Sequence, residues 1–184
     1  MKLLSWNIRG CSTPIKKILL KKKIREEKPL VIFIQETKCS EESFKSIASK
    51  IWKNCEASTI DASGTAGGIG IIWNPSSLTL TNIMATKFSI FVEFHILGTN
   101  SKGFLTNVYG PFKLASKQLF LRSLQNMSNL VRRRHWIIGS DFNLIHNLQE
   151  KKGGIRTPSP TSNDFKNVTH GLTLGSTLSA HPAR

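Results

Sequence analysis

Residues 30–35 read Leu-Val-Ile-Phe-Ile-Gln, an unbroken apolar run rich in β-branched side chains and closed by one amide. Six residues are too few for a helix of the same burial, and the composition matches a strand covered on both faces. Such a strand obliges the rest of the chain to supply a layer on either side. Upstream, "KLLSWN" reads as a short strand. "STPIKKILLKKKIREEKP" follows as a very basic amphipathic helix, with a Ser/Thr cap, Pro14 in its first turn, apolar Ile15, Ile18, Leu19 and Ile24, and Pro29 as its stop. Downstream, Ser40 caps a second helix in which Phe44, Ile47, Ala48 and Ile51 recur at helical spacing.

After a "GTAGG" turn the hydrophobic period changes. "GIGIIW", "LTLTNIM", "KFSIFVEFHIL" and "GFLTNVYG" read as consecutive strands, with Phe88, Ile90, Val92, Phe94 and Ile96 alternating along the third. They are expected to form an antiparallel meander. A third helix spans about 115–131 with Phe120, Leu124, Met127 and Val131 as its apolar stripe, and "HWIIG" is the next strand. This order predicts a mixed α/β (α+β) chain with two packed sheets and helices outside. From "EKKGGIRTPSPTSN" onward Gly, Pro and Ser dominate, with a helical turn or two expected around Asp164 to Val168.

The charge balance narrows the partner. Twenty-six Lys and Arg against 11 Asp and Glu leave +15 over 184 residues. Each cation set against a phosphate releases a condensed counterion, so a basic face binds nucleic acid without reading its sequence. The basic helix, with Lys16, Lys17, Lys21, Lys22, Lys23 and Arg25, and the triplet Arg132, Arg133 and Arg134 are candidate DNA contacts or nuclear-import signals. Solvated charge is the plainer reading of either cluster. Cys11, Cys39 and Cys55 lack metal-ligand spacing, and an odd count suits reduced thiols in an intracellular protein, with the nucleus as the expected compartment. No segment approaches the length of a membrane span. A monomer is expected.

Five polar residues stand at the ends of four apolar strands: Asn7 in "SWNIRG", Glu36 in "FIQETK", Tyr109 in "TNVYGP", and Asp141 with Asn143 in "IGSDFN". A strand end joins rigid support to solvent access, as a site requires. Each also has a simpler role: Asn7 and Asn143 can close turns, Asp141 can cap one, Tyr109 can pack, and Glu36 can be a loop charge beside Lys38.

Taken in order, "SWNIRG", "QETK", "NVYGP" and "G-x-DFN" resemble the endonuclease/exonuclease/phosphatase superfamily. More narrowly, they are similar to the apurinic-endonuclease-like domain at the N-terminus of plant LINE (non-LTR) retrotransposon polyproteins. The likeness covers about residues 1–168, leaving 169–184 as a divergent, disordered tail. It implies a four-layer sandwich of two mixed β-sheets flanked by helices, which cleaves phosphodiester bonds in DNA with Mg²⁺ or Mn²⁺. By that likeness Glu36 binds the metal and Asn7 orients the metal or the phosphate. Asp141 positions or deprotonates the attacking water, and Tyr109 with Asn143 holds the scissile phosphate. Arg9, Lys38, Lys22 and Arg133 are the expected nucleic-acid contacts.

Relatives carry a second half of the site, an "SRLDR"-like segment and a late Asp-His pair. The 184 residues contain three aspartates, Asp61, Asp141 and Asp164, and no Asp-His dipeptide. His170 and His181 stand in unrelated contexts, and Ser140 replaces a common Gly. The expectation is a fold incomplete at the C-terminus, leaving the family near Val168 through a frameshift, splice change or early stop. Its nuclease would be weak or inactive, since loss of one preorganised donor costs ~10²- to 10³-fold in rate. A nucleic-acid-binding remnant without turnover is the alternative from another class, and a phosphatase of another phosphoester the alternative within the superfamily.

Overall fold

The computed structural model describes residues 1–63, 66–132 and 134–143. The elements are β1 (Leu3–Asn7), α1 (Pro14–Glu27), β2 (Val31–Gln35), α2 (Glu41–Ile51), β3 (Glu56–Ser63), β4 (Ala66–Trp73), β5 (Leu78–Thr86), β6 (Ser89–Ile96), β7 (Lys102–Tyr109), α3 (Leu114–Val131) and β8 (Trp136–Asp141). They form two four-stranded mixed sheets, ordered β1-β2-β4-β3 and β5-β6-β7-β8. The expected turn around Asp164, the tail and Arg133 lie outside the described residues.

Strand β2 is buried along its whole length, as its composition requires. Its side chains alternate between two cores. Ile32 and Ile34 join Leu20 and Ile24 of α1 and Phe44, Ile47, Ala48 and Ile51 of α2. Val31 and Phe33 turn the other way and meet Ile90, Val92, Phe94 and Leu105 of the second sheet. Beyond that sheet, Phe91, Phe104 and Val108 pack on Phe120, Leu124, Met127 and Val131 of α3. The layers are therefore helix, sheet, sheet and helix, each filled from side chains of the predicted periodicity.

Three expectations need correction. The "GIGIIW" strand does not belong to the meander: β4 lies between β2 and β3 in the first sheet, and the meander is β5-β6-β7. A local period does not choose a strand's partner. Here Gly70 lets the Phe44 ring close over β4, because a Cβ at that position would stand 2.1 Å from the ring. Second, β3 is a strand that no alternation announces, because Ala57, Ile60 and Ala62 are its only apolar residues. It is tolerated at a sheet edge. Third, α1 buries Leu20 and Ile24 and leaves Ile15, Ile18 and Leu19 exposed. At 3.6 residues per turn, Ile18 points about 160° away from Leu20, so one stripe cannot hold both.

The connectivity also sets the site. Each sheet has one parallel pair, β1 with β2 and β7 with β8. Parallel strands end at the same pole, so register places Asn7 opposite Gln35 and Tyr109 opposite Asp141. Among the described residues β1 and β8 are both edge strands, and they touch across the sandwich.

Candidate active site

Below the strand ends, a buried polar bridge fixes the two sheets. Gln35 Nε2 donates to Ser5 Oγ at 3.0 Å and to Asn107 Oδ1 at 2.6 Å. Asn107 Nδ2 donates to the carbonyls of Gly70 at 2.8 Å and Ile34 at 3.2 Å. Gln35 and Asn107 are almost fully buried, so the bonds hold one relative placement of the sheets at little desolvation cost. Sequence reading missed both residues, since an amide in a strand looks the same whether it faces water or a neighbouring sheet.

Directly above, Asn7 joins the two carboxylates. Its Nδ2 donates to Glu36 Oε1 at 2.9 Å and to Asp141 Oδ2 at 2.7 Å, while its Oδ1 accepts from the Arg9 amide at 3.2 Å. One neutral side chain thus holds acids from different sheets, with both of its donors engaged. Lys38 Nζ stands 3.4 Å from Glu36 Oε2. The Tyr109 hydroxyl is within hydrogen-bonding reach of Glu36 and Asn143.

The rim is equally fixed. Asn143 closes a turn: its N–H donates to Asp141 Oδ1 at 3.2 Å and its Nδ2 to the Gly110 carbonyl at 2.6 Å. Gly110 N–H donates to the Asp141 carbonyl at 2.7 Å, and a Cβ at Gly110 would overlap the Phe142 carbonyl oxygen at 1.8 Å. Only glycine permits this approach. Arg9, Glu36, Lys38 and Asn143 have φ of 49°, 52°, 52° and 49°. Non-glycine residues rarely enter this left-handed region, and such strain gathers at functional sites.

All five strand-end residues therefore converge, with Arg9 and Lys38 beside them. Lys16 Nζ donates to the Arg9 carbonyl at 2.7 Å, which places the first turn of α1 at the same pole. Lys22 is not brought there. It pairs with Glu26 in the last turns of α1, whose end reaches Lys2 at the opposite pole. A cleft of about 410 Å³ lined by Thr79, Glu93, His95 and Lys102 is also remote, because the His95–Lys102 end of the β6–β7 pair lies away from Tyr109.

Electrostatics separate the roles of the two titrating neighbours. Burial works to raise the Glu36 pKa, but hydrogen bonds from Asn7, Lys38 and Tyr109, with the Lys38 charge, outweigh it and hold it below the usual carboxylate value. Glu36 is an anion at neutral pH. Burial, then the charge and hydrogen bond of Glu36 and the charge of Asp141, push Tyr109 up to about 12 against a lowering contribution from Asn143. Tyr109 keeps its proton at neutral pH, so its hydroxyl is available to donate.

A depressed carboxylate pKa also makes a stability prediction. The stabilisation from ionised Glu36 is fully present above the unfolded value of 4.5 and is lost as pH falls through the lower folded value. Urea unfolding between pH 6 and pH 3 should therefore show a shallower loss of stability in Glu36→Gln than in the wild type. Parallel curves would contradict the assignment.

Two carboxylates on a neutral bridge suit a hydrated hard cation, which takes one or two carboxylates and completes its shell with water and phosphate oxygens. No cluster of three or more His, Cys, Asp or Glu side chains is assembled among the described residues. The donors fit a cation shared with a phosphate ligand better than one caged by protein alone.

Solved structures share this architecture. The endonuclease domain of TRAS1, a telomere-specific non-LTR retrotransposon, superposes with a TM-score of 0.68 at 13% identity, covering 92% of this chain and 71% of that one. For the 3′ phosphatase NExo from Neisseria, bound to a product DNA hairpin, the values are 0.65, 14%, 93% and 71%. For an AP endonuclease from Archaeoglobus fulgidus they are 0.64, 16%, 92% and 70%. The chain spans 64% of the length of the human Nocturnin catalytic domain, 62% of a humanized D. rerio TDP2 and 72% of a conserved protein from Enterococcus faecalis. No curated protein matches it in sequence. The model of the endonuclease/exonuclease/phosphatase family matches residues 4–175, a span that holds every residue of the site just described, and the chain belongs to that family.

Proposed function

We propose that the chain is a divalent-cation-dependent phosphodiesterase domain that nicks DNA, of the LINE retrotransposon endonuclease type. The observation that carries this reading is Asn7 bridging Glu36 and Asp141 at one pole of the sandwich. Glu36, oriented by Asn7, would hold Mg²⁺ or Mn²⁺, and the charge of a cation there would polarise the phosphoryl group and stabilise the leaving oxygen. Asp141 accepts the proton of the attacking water, and Asn7 fixes its direction. Tyr109 donates to the phosphate, and Asn143 holds the rim beside it.

DNA fits this site better than a small phosphoester does. Arg9 and Lys38 flank the carboxylates and are exposed, and Phe112 is 68% exposed with its ring 6.1 Å from that of Tyr109. An exposed aromatic next to a phosphate site is a surface on which a base stacks, worth ~1–3 kcal/mol per base. Among the described residues no helix is long and apolar enough to cross a membrane.

Two measurements test the reading. Supercoiled plasmid should be nicked with Mg²⁺ or Mn²⁺ and left intact with EDTA. In EDTA, replacing both Arg9 and Lys38 by alanine should lower the slope of log affinity against log salt by about 2, roughly one per phosphate contact, while Lys22→Ala leaves it unchanged. The reverse pattern would move the DNA to the outer face of α1. The second reading is a non-catalytic nucleic-acid-binding chain, favoured by the exposed Arg9 and Lys38, which can meet phosphates whether or not the carboxylates act. Salt-sensitive binding with no nicking under either metal would select it.

A further inference from the structure

The loop that follows Asn7 and the loop that carries Glu36 hold a second pair of groups that the nuclease reading does not use. Cys11 Sγ and Cys39 Sγ are 3.0 Å apart, although 28 residues separate them in the chain. Both are free thiols. The backbone between them is already joined: Gly10 N–H donates to the Glu36 carbonyl at 2.6 Å and Cys11 N–H to the Thr37 carbonyl at 3.0 Å. A disulfide requires a sulfur separation of ~2.05 Å, so closure shortens the sulfur separation by about 1 Å across loops that are already joined through their backbones.

We propose that Cys11 and Cys39 are a thiol-disulfide modification site, in which a small-molecule disulfide such as oxidised glutathione converts the pair into a reversible staple between the β1–α1 and β2–α2 loops. Exposure sets the order of events. Cys39 is half-buried beside exposed Lys38, whereas Cys11 is 2% exposed in the core under α1. Burial first, then the neighbouring Cys39, push the Cys11 thiol up to about 12, against lowering contributions from a hydrogen bond to its own backbone and from Lys17. Cys39 is therefore the thiol that meets the oxidant.

The chemistry balances in two exchanges. The Cys39 thiolate attacks one sulfur of oxidised glutathione, the glutathione S–S bond breaks, and one glutathione thiolate leaves. The neighbouring thiol that raised Cys11 is now capped. Cys11 gives its proton to solvent and attacks Cys39 Sγ, forming the Cys11–Cys39 bond and releasing the second glutathione thiolate. Two protein thiols are oxidised and one glutathione disulfide is reduced to two glutathiones. Lys17 and Lys38 favour approach of the anionic oxidant.

The site is independent of whether the chain cleaves DNA, and so is its test. The full chain is incubated with oxidised glutathione, alkylated, digested and weighed. The expected product is a peptide pair joined through Cys11 and Cys39, two hydrogens lighter than its parts, with Cys55 alkylated. Dithiothreitol should restore all three thiols. The stapled form should melt several degrees higher, and the shift should be lost in the Cys11→Ser and Cys39→Ser double variant. Cys11→Ser alone should retain glutathione on Cys39, while Cys39→Ser leaves Cys11 reduced. The proposal is overturned if Cys11 and Cys39 stay alkylatable in the wild type, if glutathione persists on Cys39, or if Cys55 supplies the dominant disulfide.

Discussion

Asp141→Ala is expected to slow Mg²⁺-dependent plasmid nicking by roughly 10²- to 10⁴-fold, the usual worth of a positioned general base. That loss corresponds to about 2.7–5.5 kcal/mol of transition-state stabilisation. It is large because Asp141 has two structural ties and one chemical task. Its Oδ2 accepts from Asn7 and its Oδ1 from the Asn143 amide, so the carboxylate is aimed before any ligand arrives. Alanine removes the base and frees Asn7 and Asn143 together. Asp141→Asn separates the two effects, since it keeps the size and an acceptor oxygen but removes the basicity. Nicking in Asp141→Asn should fall almost as far as in the alanine variant, with its melting temperature closer to wild type. Initial rates with matched melting curves decide the matter. Nicking that survives both Asp141→Ala and Glu36→Ala would remove the chemistry from this pole.

The positions of these residues were legible because their signal is local. A polar group closing an apolar strand can be read from six residues, and Asn7, Glu36, Tyr109 and Asp141 each carry it. The cores of α2 and α3 were legible for the same reason, through helical spacing. What was not legible depends on partners distant in sequence. β4 has the pattern of any meander strand, and only β2 and Phe44 draw it into the first sheet. β3 is too polar to announce itself and is a strand because β4 offers it an edge. The exposed side of α1 carries Ile15, Ile18 and Leu19, which a helical projection alone would bury. The left-handed backbone at Arg9, Glu36 and Lys38 had no residue-type signal either, since glycine and asparagine mark such positions and these are neither. Nor did the approach of Cys11 to Cys39, which arises from two loops stitched by backbone hydrogen bonds.

The amide bridge is where long-range placement carries the largest expected cost in stability. Asn107→Ala should destabilise the fold by on the order of 3 kcal/mol, because each buried polar group left without a partner costs about 1–3 kcal/mol. Alanine deprives Gln35 of its 2.6 Å acceptor and takes a donor from the carbonyls of Ile34 and Gly70, all at a buried position between the sheets. Against a total stability of about 5–15 kcal/mol, such a loss is visible as a lower urea midpoint with an unchanged slope. The bridge ties β7 to β2, and Tyr109 and Glu36 lie just past those tied positions. The variant should therefore lose nicking activity beyond its unfolded fraction, as the two halves of the site separate. Gln35→Leu combined with Asn107→Leu tells desolvation from placement. Removing both amides leaves neither facing an empty partner, so stability should recover relative to Asn107→Ala. Nicking should stay low, since the buried hydrogen bonds that tie β2 to β7 are then gone and apolar contact does not fix one placement as closely. If the double variant regains activity along with stability, the bridge only fills space, and the alignment of Glu36 with Asp141 must come from Asn7 alone.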